Sequence, residues 1–318
     1  MAEKIIAVAG PTASGKTALA VRLAKAVSGE VVSNDSMQIY RGMVIGTAAP
    51  VCGEMMGVPH HMIGCIEPSA DFSCVDYAAA VRPIVSDIIG RGHIPVFCGG
   101  TGLYLDSVLN SDFSDSGKDE ALRASLSEFA RNNGEQSLHA RLAEIDPEAA
   151  AATHPNNVRR VIRAIEIYET TGITKTEWDR RSTRRLPEFD AGIVVLEFMS
   201  RRLLYYRIEA RVDAMMKDGL EEEVRGLWKA GLLAPELPAA QAIGYKEFIP
   251  YFEKKATLDE TVEQIKINTR RYSKRQMTWF KRYPDAIRVF ADTPSEEMRD
   301  VDEICAEVLE KLGNRGYI

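Results

Sequence analysis

The run Gly10-Pro-Thr-Ala-Ser-Gly15-Lys16-Thr17 narrows the possible folds more than any other part of the chain. It fits GxxxxGK[ST] throughout. It stands between a continuous apolar run, Ile5 to Ala9, and a segment with Leu19, Leu23 and Val27 at helical spacing that stops at Gly29. Strand, glycine loop, helix is the context in which this pattern wraps a phosphate chain. Glycines let backbone N–H groups turn inward, and the start of the helix adds partial positive charge. Lys16 supplies a full charge, and Thr17 offers a hydroxyl to a Mg²⁺ that bridges phosphate oxygens. Gly10, Pro11, Thr12, Ala13, Ser14, Gly15, Lys16 and Thr17 are thus the candidate diphosphate- or nucleotide-binding residues, with Thr17 as the candidate metal ligand.

A strand with no polar alternation is covered on both faces, as in a parallel sheet. Glu30 to Ser33, ending at Asn34-Asp35, and Ile94 to Cys98, ending at Gly99-Gly100, read as further strands. Between them, Ser73 with Asp76 forms a capping box for a helix over 75–89. The alternation predicts an α/β core with a doubly wound parallel sheet. From about Ser111 the pattern changes, because Lys118 to Ala130, Ser137 to Ile145 and Asn157 to Thr170 read as helices with no strand between them. The organisation expected is a core of 1–112 and 189–318 interrupted by an all-helical insertion over 113–188. Strand signal returns at Gly192 to Phe198, followed by helices over 201–217 and 220–230. A long helix from Leu258 to about Tyr283, a strand at Ala286 to Phe290 and an acidic helix from Ser295 complete the reading.

A motor ATPase would end a neighbouring apolar strand in an acid that helps hold Mg²⁺. Here that strand ends Phe97-Cys98-Gly99-Gly100-Thr101, and the acid that does end a core strand is Asp35. The loop looks adapted to hold a di- or triphosphate for transfer chemistry without a hydrolysis-driven switch.

The 318 residues carry 40 Lys+Arg against 46 Asp+Glu, a net charge of −6, which excludes nucleic-acid binding by bulk charge and leaves room for a local basic surface. One exists. From Gln264 to Arg282 the chain has Lys266, Arg270, Arg271, Lys274, Arg275, Lys281 and Arg282, no acid, and Tyr272, Trp279 and Phe280 interleaved. Basic groups beside stackable rings suit contact with phosphates and bases, whereas a solvated helix face normally mixes signs. Arg159, Arg160 and Arg163, then Arg180, Arg181, Arg184 and Arg185, extend the pattern.

Five cysteines without CxxC spacing point to a reducing cytoplasm. The N-terminus has no signal-peptide pattern, and no stretch approaches the roughly 20 apolar residues of a membrane span. Cys52, His60, His61 and Cys65 raise a zinc hypothesis, but their spacing fits no common zinc pattern. Buried thiols and core-edge histidines are the preferred reading. Met37, Met43, Met55, Met56 and Met62 near them suit an apolar wall able to line a hydrocarbon pocket.

In order along the chain stand GPTASGKT (10–17), DSMQIYRGM with IGTA (35–48), VPHH (58–61), GGTGLY (99–104), RVIRAIE (160–166), RIEARVDAM (207–215), QAIGYKE (241–247) and TRRYSKRQMTWF (269–280). This series closely resembles the tRNA dimethylallyltransferases, also called tRNA isopentenyltransferases, over nearly the whole length. The resemblance implies a P-loop kinase-like core with a parallel sheet flanked by helices, and a helical insertion that grips the anticodon stem-loop of tRNA. It implies transfer of the dimethylallyl group of dimethylallyl diphosphate, with Mg²⁺, to N6 of the adenosine 3′ of the anticodon, position 37. It makes Asp35 the general base, has Thr12 to Thr17 and Arg211 hold the diphosphate, and sets Thr101 against the flipped nucleotide. It gives contacts with tRNA to Asp35, Ser36, Met37 and Gln38, to Arg159, Arg160, Val161, Ile162 and Arg163, and to Gln241, Ala242, Ile243, Gly244, Tyr245 and Lys246. Arg271 and Arg275 on the basic stripe join them, and a cytoplasmic monomer with no membrane association is expected. Val44 and Ala49 depart from the family's usual acid and lysine, which bears on one surface contact beside the substrate channel.

The residues agree with this chemistry independently. A departing diphosphate needs positive groups aimed at it, and an exocyclic adenine amine must leave the base stack before a carboxylate can orient it and take its proton. A small-molecule or nucleoside kinase would use the same loop but has no task for the basic stripe or the insertion. A non-enzymatic RNA-binding protein would not need Asp35 facing the loop.

Overall fold

Strand β1 (Glu3–Ala9) sends Ile5 and Ala7 to one face and Ile6 and Val8 to the other, and all four are buried. The sheet is therefore sandwiched, as its unbroken apolar pattern requires. The structure, a computed structural model, describes residues 3–109, 117–182 and 189–318. In chain order the elements after β1 are α1 (Lys16–Ala26), β2 (Gly29–Ser33), α2 (Cys52–Met55), β3 (His60–His61), α3 (Cys74–Gly90), β4 (Ile94–Gly99) and α4 (Gly102–Leu109). Then come five helices, α5 (Glu120–Asn133), α6 (Glu135–Ile145), α7 (Pro147–Ala152), α8 (Val158–Thr171) and α9 (Lys175–Ser182). The chain continues with β5 (Phe189–Glu197), α10 (Arg201–Lys217), α11 (Leu220–Lys229), α12 (Phe248–Phe252), α13 (Leu258–Phe280), β6 (Ile287–Phe290) and α14 (Val301–Asn314).

Contacts divide the chain into two units, Met1–Leu109 with Phe189–Ile318, and Asn110–Glu188. The expected boundaries are 112/113 and 188/189, and the first lies outside the described residues.

In the first unit the six strands run in the order β3-β2-β4-β1-β5-β6, every neighbouring pair parallel. Ala9 lies opposite Gly99 and Val195, and Ser33 opposite Cys98, so the carboxyl ends of β1, β2 and β4 come level. The connection after β1 leads to β2 on one side, and the connection after β4 leads to β5 on the other. These neighbours form the topological switch point, where a crevice opens at the carboxyl edge of such sheets. One face of the sheet packs Ile6, Val8, Val96 and Val194 against α1 and α14; the other packs Ile5, Ala7, Val32 and Phe97 against α3, α4 and the helices after β5.

The Ser73–Asp76 capping box opens α3 as expected, Ser73 Oγ accepting from Asp76 N at 3.2 Å. The last helix differs from expectation. It begins at Val301, because Asp300 accepts from the N–H groups of Asp302 and Glu303, while Asp292 and Met298 form an antiparallel bridge where the helix was expected.

The second unit has a core of its own, with Leu126, Leu138, Leu142, Val161, Ile162 and Ile165. Glu166 is fully buried there. Arg123 donates to it at 2.8 and 3.0 Å, Arg163 at 2.6 Å and the Asp119 N–H at 2.9 Å. Burial would raise the Glu166 pKa, but these donors together hold it below the ordinary carboxylate value. Asp146 caps α7 by accepting from Ala149 N and also takes the N–H and hydroxyl of Thr176, tying α9 to α7. Both of these short helices escape the sequence reading, being too brief for a clear periodicity.

Candidate functional site

The loop after β1 closes on α1 with Gly15 at φ 90°, a conformation open to glycine at little cost and a poor one for other residues. Thr12 to Thr17 line a cleft of about 830 Å³ at the carboxyl edge of the sheet. Gly10 and Pro11 lie buried beneath them. Lys16 Nζ is 3.3 Å from the Pro11 carbonyl. Burial depresses the Lys16 pKa and the Arg211 charge adds to it, with Asp35 pulling the other way. Arg211, from α10, reaches Thr12 Oγ1 at 3.4 Å, and its neighbour Arg207 donates to the Ala13 carbonyl at 2.9 Å. Burial depresses Arg211 too, against the pull of Asp35 and Glu54. Two desolvated cations that face one cleft are an electrostatic demand for an anion.

Asp35 stands at the carboxyl end of β2. Its Oδ1 accepts from Met37 N at 2.9 Å and Gln38 N at 3.4 Å, which fixes the carboxylate on its own turn; no hydrogen bond reaches Oδ2 among the described residues. Thr101, just past β4, accepts the Ser36 N–H on its Oγ1 at 3.0 Å. The ends of β2 and β4 are thereby laced together beside the phosphate loop. At the level of Asp35's strand neighbour Ser33 stands Cys98, where a motor ATPase would carry its acid. Its thiol is pushed up to about 11 by burial, so it stays neutral.

A second cavity of about 240 Å³ lies on the other side of Asp35. Thr12, Asp35, Thr47, Arg211 and Tyr272 line both cavities. The smaller one is walled by Gln241 to Gly244, Lys246, Ser36, Met37 and Arg275. The carboxylate therefore sits where two approaches meet, one from the phosphate loop and one from the Gln241–Lys246 segment.

Other expected positions divide. Arg159, Arg160, Gln241, Arg271 and Arg275 are exposed, and Arg275 lies over the Tyr272 ring at 5.5 Å. Val161 and Ile162 point into the core of the second unit, so their side chains have no free face for RNA. Tyr245 is fully buried and donates its hydroxyl to Glu223 at 2.6 Å. The same carboxylate accepts the N–H groups of Val44, Ile45 and Gly46, so Tyr245 serves a clamp on that loop. Arg163 is engaged in the Glu166 clamp. Gln38 spends its amide on Ser33, Thr47 and Ala48. On the basic stripe, Lys266 pairs with Asp213, and Arg270 with Glu209 and Glu263. Arg180 and Arg181 pair with Glu148 and Glu177. Arg184 and Arg185 lie outside the described residues.

Of the thiols expected to be buried, Cys52 and Cys65 are exposed. His61 bonds Glu30 at 2.8 Å, and Glu30, hydrogen-bonded also to Arg91 and His93, is held at about 2. His60 Nδ1 bonds the Val58 carbonyl. The methionine wall is also redistributed: Met43 and Met62 are core residues, Met56 is exposed and Met37 lines the smaller cavity. The larger cleft takes its apolar lining from Val31, Ile45, Val51 and Met215, together with Val44 and Ala49, the two positions of departure.

Tyr272 and Gln276 are the site residues that the sequence reading missed as such. Burial pushes the Tyr272 phenol far above its ordinary range and Asp35 adds to it, so it remains a donor. The missed signal was Gln276 itself, an uncharged amide in the middle of an otherwise basic stretch.

A family model described as IPP transferase matches residues 38–283, and one described as Isopentenyl transferase matches residues 3–63. A tRNA dimethylallyltransferase of Geobacillus thermodenitrificans is 45% identical, covering 98% of each chain. Among solved structures, a full-length tRNA isopentenylpyrophosphate transferase from Bacillus halodurans superposes with a TM-score of 0.70 at 41% identity, covering 98% of this chain and 97% of that one. A eukaryotic dimethylallyltransferase acting on tRNA gives 0.83 at 28% identity, covering 98% of this chain and 80% of the other.

Proposed function

The chain belongs to the IPP transferase family, and from that premise we propose that it transfers the dimethylallyl group of dimethylallyl diphosphate to N6 of adenosine 37 of tRNA. The observation that carries this reading is the meeting of the two cavities at Asp35, Thr12 and Arg211. A diphosphate on the phosphate loop leaves its allylic carbon pointing along the shared wall, and an extruded base enters from the Gln241–Lys246 side. The N6 lone pair attacks that carbon, the C–O bond breaks and its electron pair leaves with the diphosphate. The N6 proton passes to the open Oδ2 of Asp35. Lys16, Arg211 and the loop N–H groups face the charge that grows on the leaving group, so their interaction strengthens toward the transition state. Thr101 and Tyr272 supply hydroxyls beside the acceptor.

The donor set suits a hard divalent cation such as Mg²⁺. Asp35 keeps its open oxygen for the proton, and the Thr17 hydroxyl, an oxygen donor lining the cleft, would hold such an ion. When bound, it neutralises part of the diphosphate charge. Exposed Arg159 and Arg160 on α8, and Arg271 and Arg275 on α13, are the residues we assign to the phosphates of the anticodon stem-loop. No helix among the described residues is long and apolar enough to cross a membrane. We assign the protein to the cytoplasm as a monomer on its kinship with tRNA dimethylallyltransferases alone.

The test is one incubation with Mg²⁺, unmodified tRNA and either dimethylallyl diphosphate or ATP, followed by mass analysis of the nucleosides. Adenosine heavier by one dimethylallyl group at position 37 is expected with the first donor. Phosphoryl transfer from ATP, or no product, overturns the reading.

A further inference from the structure

We propose that Gln276 is a positioning residue that sets the spacing between the leaving-group half and the acceptor half of the site. It rests on the transferase reading above. Gln276 lies on α13 with 3% of its surface exposed. Its Oε1 accepts the backbone N–H of Thr12 at 2.8 Å, and its Nε2 donates to the carbonyl of Gly100 at 3.1 Å. The two partners fix the orientation of the amide, since one is only a donor and the other only an acceptor.

Each partner belongs to a different half. Thr12 opens the phosphate loop and meets Arg211 through its hydroxyl. Gly100 precedes Thr101, which holds Ser36 next to Asp35. In phosphate loops the N–H groups normally turn toward the ligand. The Thr12 N–H is instead taken by Gln276, so it anchors the loop to the helix. Gly100 is shaped to the same contact, because a Cβ there would stand 1.9 Å from Nε2 and 3.1 Å from Cδ. Tyr272, one turn earlier on α13, lies beside both Thr101 and Gln276.

Only a side chain with one donor and one acceptor at this reach serves both loops. Methionine keeps the volume and does neither job; glutamate accepts from Thr12 but sets a carboxylate against the Gly100 carbonyl until it is protonated. A misplacement of about 1 Å between reacting groups costs on the order of 100-fold in rate. In single-turnover assays at saturating dimethylallyl diphosphate and tRNA, Gln276→Met is expected to lose about 10- to 100-fold in rate while both dissociation constants stay within about threefold. Gln276→Glu is expected to gain on the parent enzyme as pH falls, because the neutral acid regains the donor. Gly100→Ala, which keeps the amide but displaces it, is expected to match Gln276→Met, and Gly100→Ala with Gln276→Ala to be no slower than Gly100→Ala or Gln276→Met alone.

A Gln276→Met rate within threefold of the parent, affinities that fall as far as the rate, a pH-independent Gln276→Glu ratio, or losses that multiply in the double variant would each overturn the proposal. If Gln276→Met does not fold, Gly100→Ala and Gln276→Glu decide. A parent enzyme that makes no prenylated adenosine refutes the transferase reading; an active parent with unaffected variants refutes this inference alone.

Discussion

The two units treat buried charge in opposite ways. In the helical unit Glu166 is surrounded by two arginines and a backbone N–H, every strong partner supplied by the protein. In the sheet unit Lys16 and Arg211 are desolvated at a cleft, with only weak or long contacts to Pro11 and Thr12. A closed cluster costs little once formed and does nothing further; an open one stays under strain until an anion arrives. The first arrangement holds a shape, and the second is ready for chemistry.

The sharpest way to break this contrast is at Asp35, the carboxylate with an open oxygen. Asp35→Ala is expected to fold, to bind tRNA and to turn over about 10² to 10⁴ times more slowly, the usual contribution of a positioned base. Single-turnover rates within tenfold of the parent would remove it from the mechanism. Lys16→Ala follows, with a loss of about 10² to 10³ in kcat and weaker diphosphate binding, because the charge it faces is larger in the transition state than in the substrate. A raised KM with unchanged kcat would reduce Lys16 to a binding group.

Cutting the closed cluster should do the reverse, costing stability and leaving the diphosphate site alone. Glu166→Ala takes the buried carboxylate from two partly exposed arginines that keep other partners, Glu120 for Arg123 and the Gly117 carbonyl for Arg163, and about 3 kcal/mol is expected, the low end for a broken buried pair. Hydrogen exchange in α5 and α8 checks it, with dimethylallyl diphosphate affinity as the control. The folded-state pKa of Glu166 lies below its unfolded value, so its contribution is fully present above about pH 4 to 5 and disappears as pH falls through the lower folded value. Glu166→Gln should flatten the acid limb of stability; an unchanged limb would mean the cluster is not what holds this unit.

The smallest expected effect concerns exposed charge that is neither closed nor buried. Arg271→Glu with Arg275→Glu should weaken tRNA binding and leave diphosphate affinity unchanged. The plot of log K against log salt should become shallower by roughly 0.7 to 0.9 for each RNA phosphate that is no longer neutralised. An unchanged slope would move the RNA surface to Arg159 and Arg160.

What could be read in advance follows the range of the interactions concerned. The phosphate loop, its strand and its helix are consecutive, and local pattern is enough for them. Asp35 could be read because an acid at a strand end is conspicuous when the usual position holds Cys98. The α13 stripe was only half legible: its charges stand in the sequence, but which face turns inward depends on packing between Tyr272, Gln276 and loops far away in the chain. Tyr245 and Ile162 show the converse, buried side chains inside motif segments, since belonging to a motif says nothing about which way a side chain points. The Ser295 helix failed for a local reason, because Asp300 caps a helix start more effectively than the acidic run before it.

The parallel pairing of β1 with β5, Glu3 opposite Phe189 through Ala9 opposite Val195, carries a cost in time. On the ribosome, β1 emerges first and waits with one edge bare until the entire helical unit has been made. Contacts such as Arg123 to Glu166, 43 residues apart, close within that unit, so it can fold once it has been made, while the sheet, whose β1–β5 pairing spans far more of the chain, cannot close before β5 appears. Chains stalled before Phe189 should therefore show protease-resistant helices beside a cleavable amino-terminal segment, and resistance of that segment should arrive in one step once β5 has cleared the exit tunnel. Simultaneous protection of both regions in the stalled chains would rule out this order.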